Sequence, residues 1–347
     1  MRRLPVYLLI DTSESMAGEA IKEVEAGLKL LVSQLRGDPH ALESVVLSVI
    51  TYDCAARQTT PLTEVAVFTA PALVLGAGTC FGAALETLER CLNTEVRARS
   101  GEFKGDYAPI VFILTDGVPT DSWETPARRI RTRCEQQRLL VAGIACGPDA
   151  ATESLRQITD KIIVAAQADA ASLKEIFRWL TMSISTASIS LDKGEARLDF
   201  ERLPEVLRKA GDVHHPAREC QQVFMHARCT GNTGFYVMRY RRVPEAELPA
   251  GTPGPIFLGA AAHPLEAFHF DRSERGTELK VPIEQLVGVP RCPYCGNAAL
   301  AFCACGGVHC CAPSNEEGVR TLTCPWCGDS AEYGTASGNF EVTRSAG

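Results

Sequence analysis

Over its first half this 347-residue chain predicts an α/β fold, a doubly wound and mostly parallel sheet, because short apolar runs alternate with amphipathic helical stretches. Two further observations complete the outline. A proline-broken, strand-rich stretch fills the middle, and eight of the 15 cysteines crowd between Cys292 and Cys327. The reading is therefore an α/β domain over 1–188, a small β-rich connector of unassigned role over 189–290, a zinc-ribbon-like module over 291–333 and a polar tail over 334–347.

The first half supplies the elements in order. Residues 6–10, 45–50, 110–114 and 139–145 are nearly unbroken apolar runs, the pattern of strands covered on both faces. Ile21, Val24, Leu28, Leu31 and Leu35 recur at steps of three and four, giving a helix with one apolar stripe. Phe81, Leu85, Leu88 and Leu92 repeat that signature, and residues 128–135 and 171–182 read as two more helices. In the middle, 222–229 and 235–242 read as strands about the turn Gly231-Asn232-Thr233-Gly234. Prolines at 244, 249, 253 and 255 mark a loop, followed by short strands at 256–258 and 267–270.

Composition narrows the function classes. With 46% hydrophobic and 22% charged residues the chain is an ordinary globular one, so disorder is excluded. A net charge of −7 gives no global attraction to nucleic acid or anionic membranes. No apolar stretch reaches the roughly 18 residues of a spanning helix. The N-terminal apolar run is too short and polar for a signal peptide, so a cytoplasmic protein is expected. In a reducing compartment, closely paired cysteines mean metal rather than disulfide.

Asp11-Thr12-Ser13-Glu14-Ser15 follows the first apolar run directly, at the carboxyl end of a predicted strand, where open α/β sheets bind ligands. Alternating carboxylate and hydroxyl oxygens suit a hard cation such as Mg²⁺. Asp116 ends another apolar run, and Thr79 lies just before a helix. The pentapeptide alone would serve as a helix N-cap; the added Thr79 and Asp116 at the same rim favour a metal. A hydrolytic site would also need a general base, and no His lies between His40 and His214.

Cys292-Pro-Tyr-Cys295-Gly and Cys324-Pro-Trp-Cys327-Gly are matched knuckles, predicted to close one structural Cys₄ zinc site from Cys292, Cys295, Cys324 and Cys327. Between them, residues 303–311 read as a hairpin turning on Gly306-Gly307, with Cys303 opposite Cys310 and Cys305 on the same face. Either Cys303, Cys305 and Cys310 hold a second zinc with a fourth ligand unidentified, or these thiols pack beneath the first site. Only Arg320 and Arg344 are basic from Cys292 onward, against five acids, so a nucleic-acid-binding ribbon is disfavoured. The arginines at 128, 129, 131 and 133 read as a solvated helix face.

Asp11-x-Ser13-x-Ser15, Thr79 and Asp116 resemble the metal-ion-dependent adhesion site of the von Willebrand factor A family, over about residues 4–185. The resemblance implies Mg²⁺ or Mn²⁺ with one coordination position left for a partner's acidic side chain. Together with the cysteine knuckles, the chain resembles TerY-type proteins of the bacterial tellurite-resistance group. That resemblance implies a non-enzymatic adaptor in stress signalling, with a Ser/Thr protein kinase and a PP2C-type phosphatase as partners. The competing readings are a zinc-ribbon or RING-like regulator using the A domain for substrate capture, and a metal-dependent hydrolase.

Overall fold

Each of the four apolar runs becomes a strand, and the parallel sheet they form sets the position of everything else. The computed structural model describes residues 2–101, 104–147, 152–165, 169–190, 203–204, 207–209, 222–249, 252, 254–265, 280–312, 320–333 and 341–343. They fall into two compact units, 1–218 and 219–346.

In the first unit β1 (Leu4–Asp11), α1 (Glu19–Arg36), α2 (Pro39–Ser44), β2 (Val45–Tyr52), β3 (Ala56–Glu64) and α3 (Phe81–Glu95) come first. Then follow β4 (Ile110–Thr115), α4 (Glu124–Glu135), β5 (Leu140–Cys146), α5 (Thr152–Arg156), β6 (Ile162–Ala165), α6 (Ala170–Ser190) and β7 (Leu207–Lys209). The sheet order is β3-β2-β1-β4-β5-β6-β7, with five parallel strands between antiparallel edges. Strand alternation divides the core in two. Val6, Leu8 and Ile10 pack with Val24, Leu28 and Phe177 on one face, and Tyr7 and Leu9 pack with Phe81, Leu85 and Leu88 on the other. The edge strand β3 escapes an apolar-run search because it is only half-buried and its sequence, ARQTTPLTE, is polar, as edge strands tend to be.

The second unit contains β8 (Gln222–Arg228), β9 (Phe235–Arg242), β10 (Phe257–Leu265), β11 (Lys280–Pro282), β12 (Leu286–Val287), β13 (Ala299–Phe302) and β14 (Val308–Cys311). β15 (Arg320–Thr323), β16 (Ser330–Tyr333) and β17 (Glu341–Thr343) complete it. Its main sheet runs β12-β10-β9-β8-β14-β13. The division expected at 290 is therefore not a boundary: β8 of the connector pairs with β14 of the cysteine-rich stretch at Arg228 and His309. Val223, Met225, Tyr236 and Met238 share one core with Cys229, Cys292 and Cys310. A strand expected at 256–258 extends to Leu265 with a bulge between Gly259 and Ala261; its Ala- and Gly-rich sequence hid the length. The strand expected at 267–270, and most of the polar tail, lie outside the described residues.

Candidate metal centres

The first centre forms where β1 and β4 end side by side. Asp11 closes β1, and Ser13 and Ser15 follow, the latter in a 3-10 turn over Glu14–Met16. The Ser13 N–H donates to Asp11 Oδ1 at 2.9 Å, and Thr115 Oγ1 donates to Asp11 Oδ2 at 2.8 Å. The Ser13 and Ser15 hydroxyls lie 2.9 Å apart, and Ser15 Oγ donates to Asp116 Oδ1 at 2.6 Å. One chain of contacts thus joins Asp11, Ser13, Ser15 and Asp116.

Thr79 arrives on a separate loop. The Gly78 N–H donates to Glu14 at 2.6 Å, the Thr79 N–H donates to Thr120 Oγ1 at 3.0 Å, and the Thr120 N–H donates to the Thr79 carbonyl at 2.9 Å. Among the described residues the buried Thr79 Oγ1 has no hydrogen-bond partner. A buried hydroxyl without one is costly. Asp11, Glu14 and Asp116 are all buried carboxylates. Burial first, and then Glu14's charge, push Asp11 up to about 6; burial and then Asp11's charge hold Asp116 well above the usual carboxylate range. An acidic, oxygen-only set with an orphaned hydroxyl fits a hard divalent cation.

Glu14 was not singled out in the motif, since nothing in the spacing separates a buried carboxylate from an exposed one. Asp53 and Asp121 are structural. Asp121 accepts the Gly82 and Ala83 N–H groups, both at 2.9 Å, and so caps α3 from a distance. Asp53 accepts the Ala55 N–H at 3.0 Å and lies 3.6 Å from Arg57.

The cysteines build two further centres, and their membership corrects the expected one. Cys229, Cys292, Cys295 and Cys310 form one cluster; Cys303, Cys305, Cys324 and Cys327 form the other, with all sulfurs of a cluster within 4.8 Å of one another. The two Cys-Pro-x-Cys knuckles therefore serve different sites. Cys295 and Cys310 sulfurs are 3.4 Å apart, Cys303 and Cys327 3.7 Å, and Cys305 and Cys324 3.9 Å. Tetrahedral zinc with bonds near 2.3 Å spaces its sulfurs by about 3.8 Å. The hairpin register also differs from expectation. Cys310 lies opposite Leu300, and Cys303 and Cys305 sit in the turn itself.

Cys229 is the ligand that spacing alone missed, and its backbone shows why it belongs. In the Cys292 knuckle the Cys292 N–H donates to Asn297 O and the Gly296 N–H to Cys292 O; in the Cys324 knuckle Cys324 donates to Asp329 O and Gly328 to Cys324 O. The same pair recurs at Cys229, from Cys229 N–H to Gly234 O and from Thr233 N–H to Cys229 O. Thr233 has φ 60, matching the left-handed Gly296 (75) and Gly328 (82) at the equivalent place. Asn232 stands where the second cysteine would be. Its Oδ1 accepts the Gly234 N–H at 3.0 Å, the hydrogen bond that the Cys295 sulfur takes from Asn297. Cys229 thus heads a knuckle with one thiol, and Cys310 supplies the fourth.

Both clusters share one packing device. Tyr294 lies over Gly234, where a Cβ would come within 2.7 Å of the ring, and its hydroxyl donates to Phe235 O at 2.8 Å. Trp326 lies over Gly307, where a Cβ would come within 2.4 Å, and its indole N–H donates to Val308 O at 2.6 Å. In each case the aromatic of a Cys-Pro-x-Cys turn seats on the glycine that ends the opposing turn.

The family model of the von Willebrand factor type A domain matches residues 6–179, half of the chain, and that of the TerY-C metal binding domain matches residues 219–347. Among solved structures, proximal thread matrix protein 1 from the mussel byssus is 16% identical over 53% of this chain and 48% of its own, with a TM-score of 0.40; in this crystal its adhesion-site motif is occupied by zinc. A von Willebrand factor type A protein from Catenulispora acidiphila is 18% identical over 81% of this chain and 61% of its own, TM-score 0.40. BatB from Bacteroides thetaiotaomicron is 14% identical over 52% and 98%, TM-score 0.36. This chain spans about half the length of the mussel chain. No curated protein matches it.

Proposed function

Because the chain belongs to the von Willebrand factor type A family and carries a TerY-C metal binding domain, we propose that it is a non-enzymatic adaptor that captures protein partners through Mg²⁺ at Asp11, Ser13, Ser15, Thr79 and Asp116. The observation that carries this reading is the orphaned Thr79 hydroxyl beside the buried carboxyls of Asp11 and Asp116. Mn²⁺ suits the same oxygens. When bound, the ion supplies an electrophilic position for a partner's Glu or Asp carboxylate, or for a phosphorylated Ser or Thr. The chain's own residues do the rest: Ser15 orients Asp116, and Ser13 N–H and Thr115 orient Asp11.

The two cysteine clusters are structural zinc sites in this reading, closed by four thiolates each. The partners proposed are a Ser/Thr protein kinase and a PP2C-type phosphatase in a tellurite-resistance-like stress response, and the location proposed is cytoplasmic. Among the described residues no helix is long and apolar enough to cross a membrane.

The test is capture by immobilised wild-type chain and by Asp11→Ala and Thr79→Ala variants, with and without Mg²⁺, followed by mass spectrometry. A kinase or phosphatase retained by the wild type with Mg²⁺ and lost from both variants is the expected result. Equal retention by both variants would move binding elsewhere. A divalent-ion-dependent phosphatase or protease turnover abolished by Asp116→Ala would revive the hydrolase reading.

A further inference from the structure

At the amino ends of the parallel strands, opposite the rim that carries the adhesion-type site, the first unit holds a cavity of about 870 Å³. Six cations line it: Arg2, Arg97, Arg99, Lys104, Arg133 and Arg138. We propose that this cavity binds a small polyanion carrying two or more phosphate groups. The reading is independent of the adaptor proposal and of every metal ligand.

Charge supplies the first argument. Asp106 is the one carboxylate among the lining residues, and it is already spent on a bidentate pair with Arg3, at 2.7 and 3.1 Å. Among the described residues, the side chains of Arg97, Arg99 and Arg138 have no carboxylate partner within 4.0 Å, whereas Arg133 lies 3.7 Å from Glu89, and Arg129 and Arg131 of α4 are matched by Glu89 and by Glu135 and Asp160. The C-termini of α3 and α4 border the cavity, and cations there complement the helix dipoles. Each dipole end contributes only about half a negative charge, however, far short of the cations left without a carboxylate. Such an excess on a chain of net charge −7 is local and concentrated.

Construction supplies the second. The Arg2 guanidinium is held over the Tyr107 ring at 3.8 Å, and it donates to the carbonyls of Gly105 and Asp106 at 3.0 and 3.2 Å. Arg97 N–H donates to Asp106 Oδ2 at 2.8 Å, which fixes where the Arg97 side chain leaves the backbone. Gln137 has φ 55, a left-handed conformation that glycine would adopt without strain; here the position carries a polar side chain that lines the cavity. Leu92, Val96 and Pro109 give an apolar floor. The volume falls in the range of small-ligand pockets, roughly 300–1,000 Å³, and the cations converge on it rather than forming a stripe along which a nucleic acid would track.

The test uses the full-length, zinc-loaded chain without added divalent ions, titrated calorimetrically with inorganic tripolyphosphate and with ATP. Saturable one-to-one binding is expected in the wild type and in Asp11→Ala. It should weaken at least ~10-fold in Arg97→Glu/Arg138→Glu, two exposed positions whose loss removes charge-assisted hydrogen bonds, and change by less than about threefold in the equally charged control Arg128→Glu/Arg178→Glu. ATP binding tighter than tripolyphosphate assigns a nucleoside to the apolar floor; equal affinities assign the phosphate chain alone. Either result supports the site. Equal loss in both double variants, tighter binding of a 20-base-pair DNA duplex than of tripolyphosphate, or no saturable binding at low salt would overturn it.

Discussion

Asp11 shows how a single side chain couples metal to stability. Its carboxyl is fully buried and pushed up to about 6 from 3.8, so without a bound cation the folded state resists its ionisation. The sign follows from linkage. The favourable contribution of the neutral carboxyl is fully present below about pH 4 and is lost as pH rises through 6, a change on the order of 3 kcal/mol. In metal-free protein, Asp11→Asn should therefore be indistinguishable from wild type near pH 4 and become more stable than it above pH 7. Thermal melts across that range check this, and a constant difference at all pH values would contradict it. The same substitution should cost the site its divalent ion. Thr79→Ala should leave the metal-free melting temperature unchanged or raised, because its hydroxyl is buried without a partner.

At the scale of elements, four turns hold all the clustered cysteines but Cys310, which stands in β14, and together they decide which thiols meet. If the knuckles pair as the geometry has them, wild type carries two zinc ions per chain. Cys229→Ser and Cys292→Ser should then each lose one and the same ion, so that their combination still retains one. Cys324→Ser should lose the other, and Cys229→Ser/Cys324→Ser should lose both. Native mass spectrometry reads this directly. A sharper test rests on Asn232, which sits where a second knuckle thiol would be. Cys310→Ser should lose the first cluster's ion, and adding Asn232→Cys should restore it, because the backbone turn already matches the other knuckles. No restoration would mean that the Cys229 turn is a knuckle in hydrogen bonding alone.

At the scale of the whole molecule, each unit closes its own core, one a doubly wound sheet and the other a sheet built around three of the first cluster's cysteines. Thiolate–zinc bonding contributes folding free energy outright where little apolar core is available. Cys292→Ser/Cys324→Ser, which empties both clusters, should thus unfold residues 219–346 while the A domain keeps its melting transition and its divalent-ion affinity. Differential scanning calorimetry would show one transition lost and the other unmoved; loss of both would mean the units fold as one.

Much of this protein was legible in its residues alone. The buried parallel strands declare themselves as unbroken apolar runs because both of their faces are covered, and the adhesion-type motif declares itself because its oxygens follow strand ends at fixed spacing. The metal-binding character of the C-terminal stretch was equally plain from its paired cysteines. Three things were not legible. Glu14 is a buried acid in a motif whose spacing ignores it, Cys229 lies 63 residues before its nearest fellow ligand, and the two knuckles look like one site when read in line. Spacing along the chain is one-dimensional information, whereas a tetrahedral site is closed by whichever turns the sheet brings together. Here β14 lies beside β8, and that pairing, which no local pattern encodes, decided which four sulfurs meet.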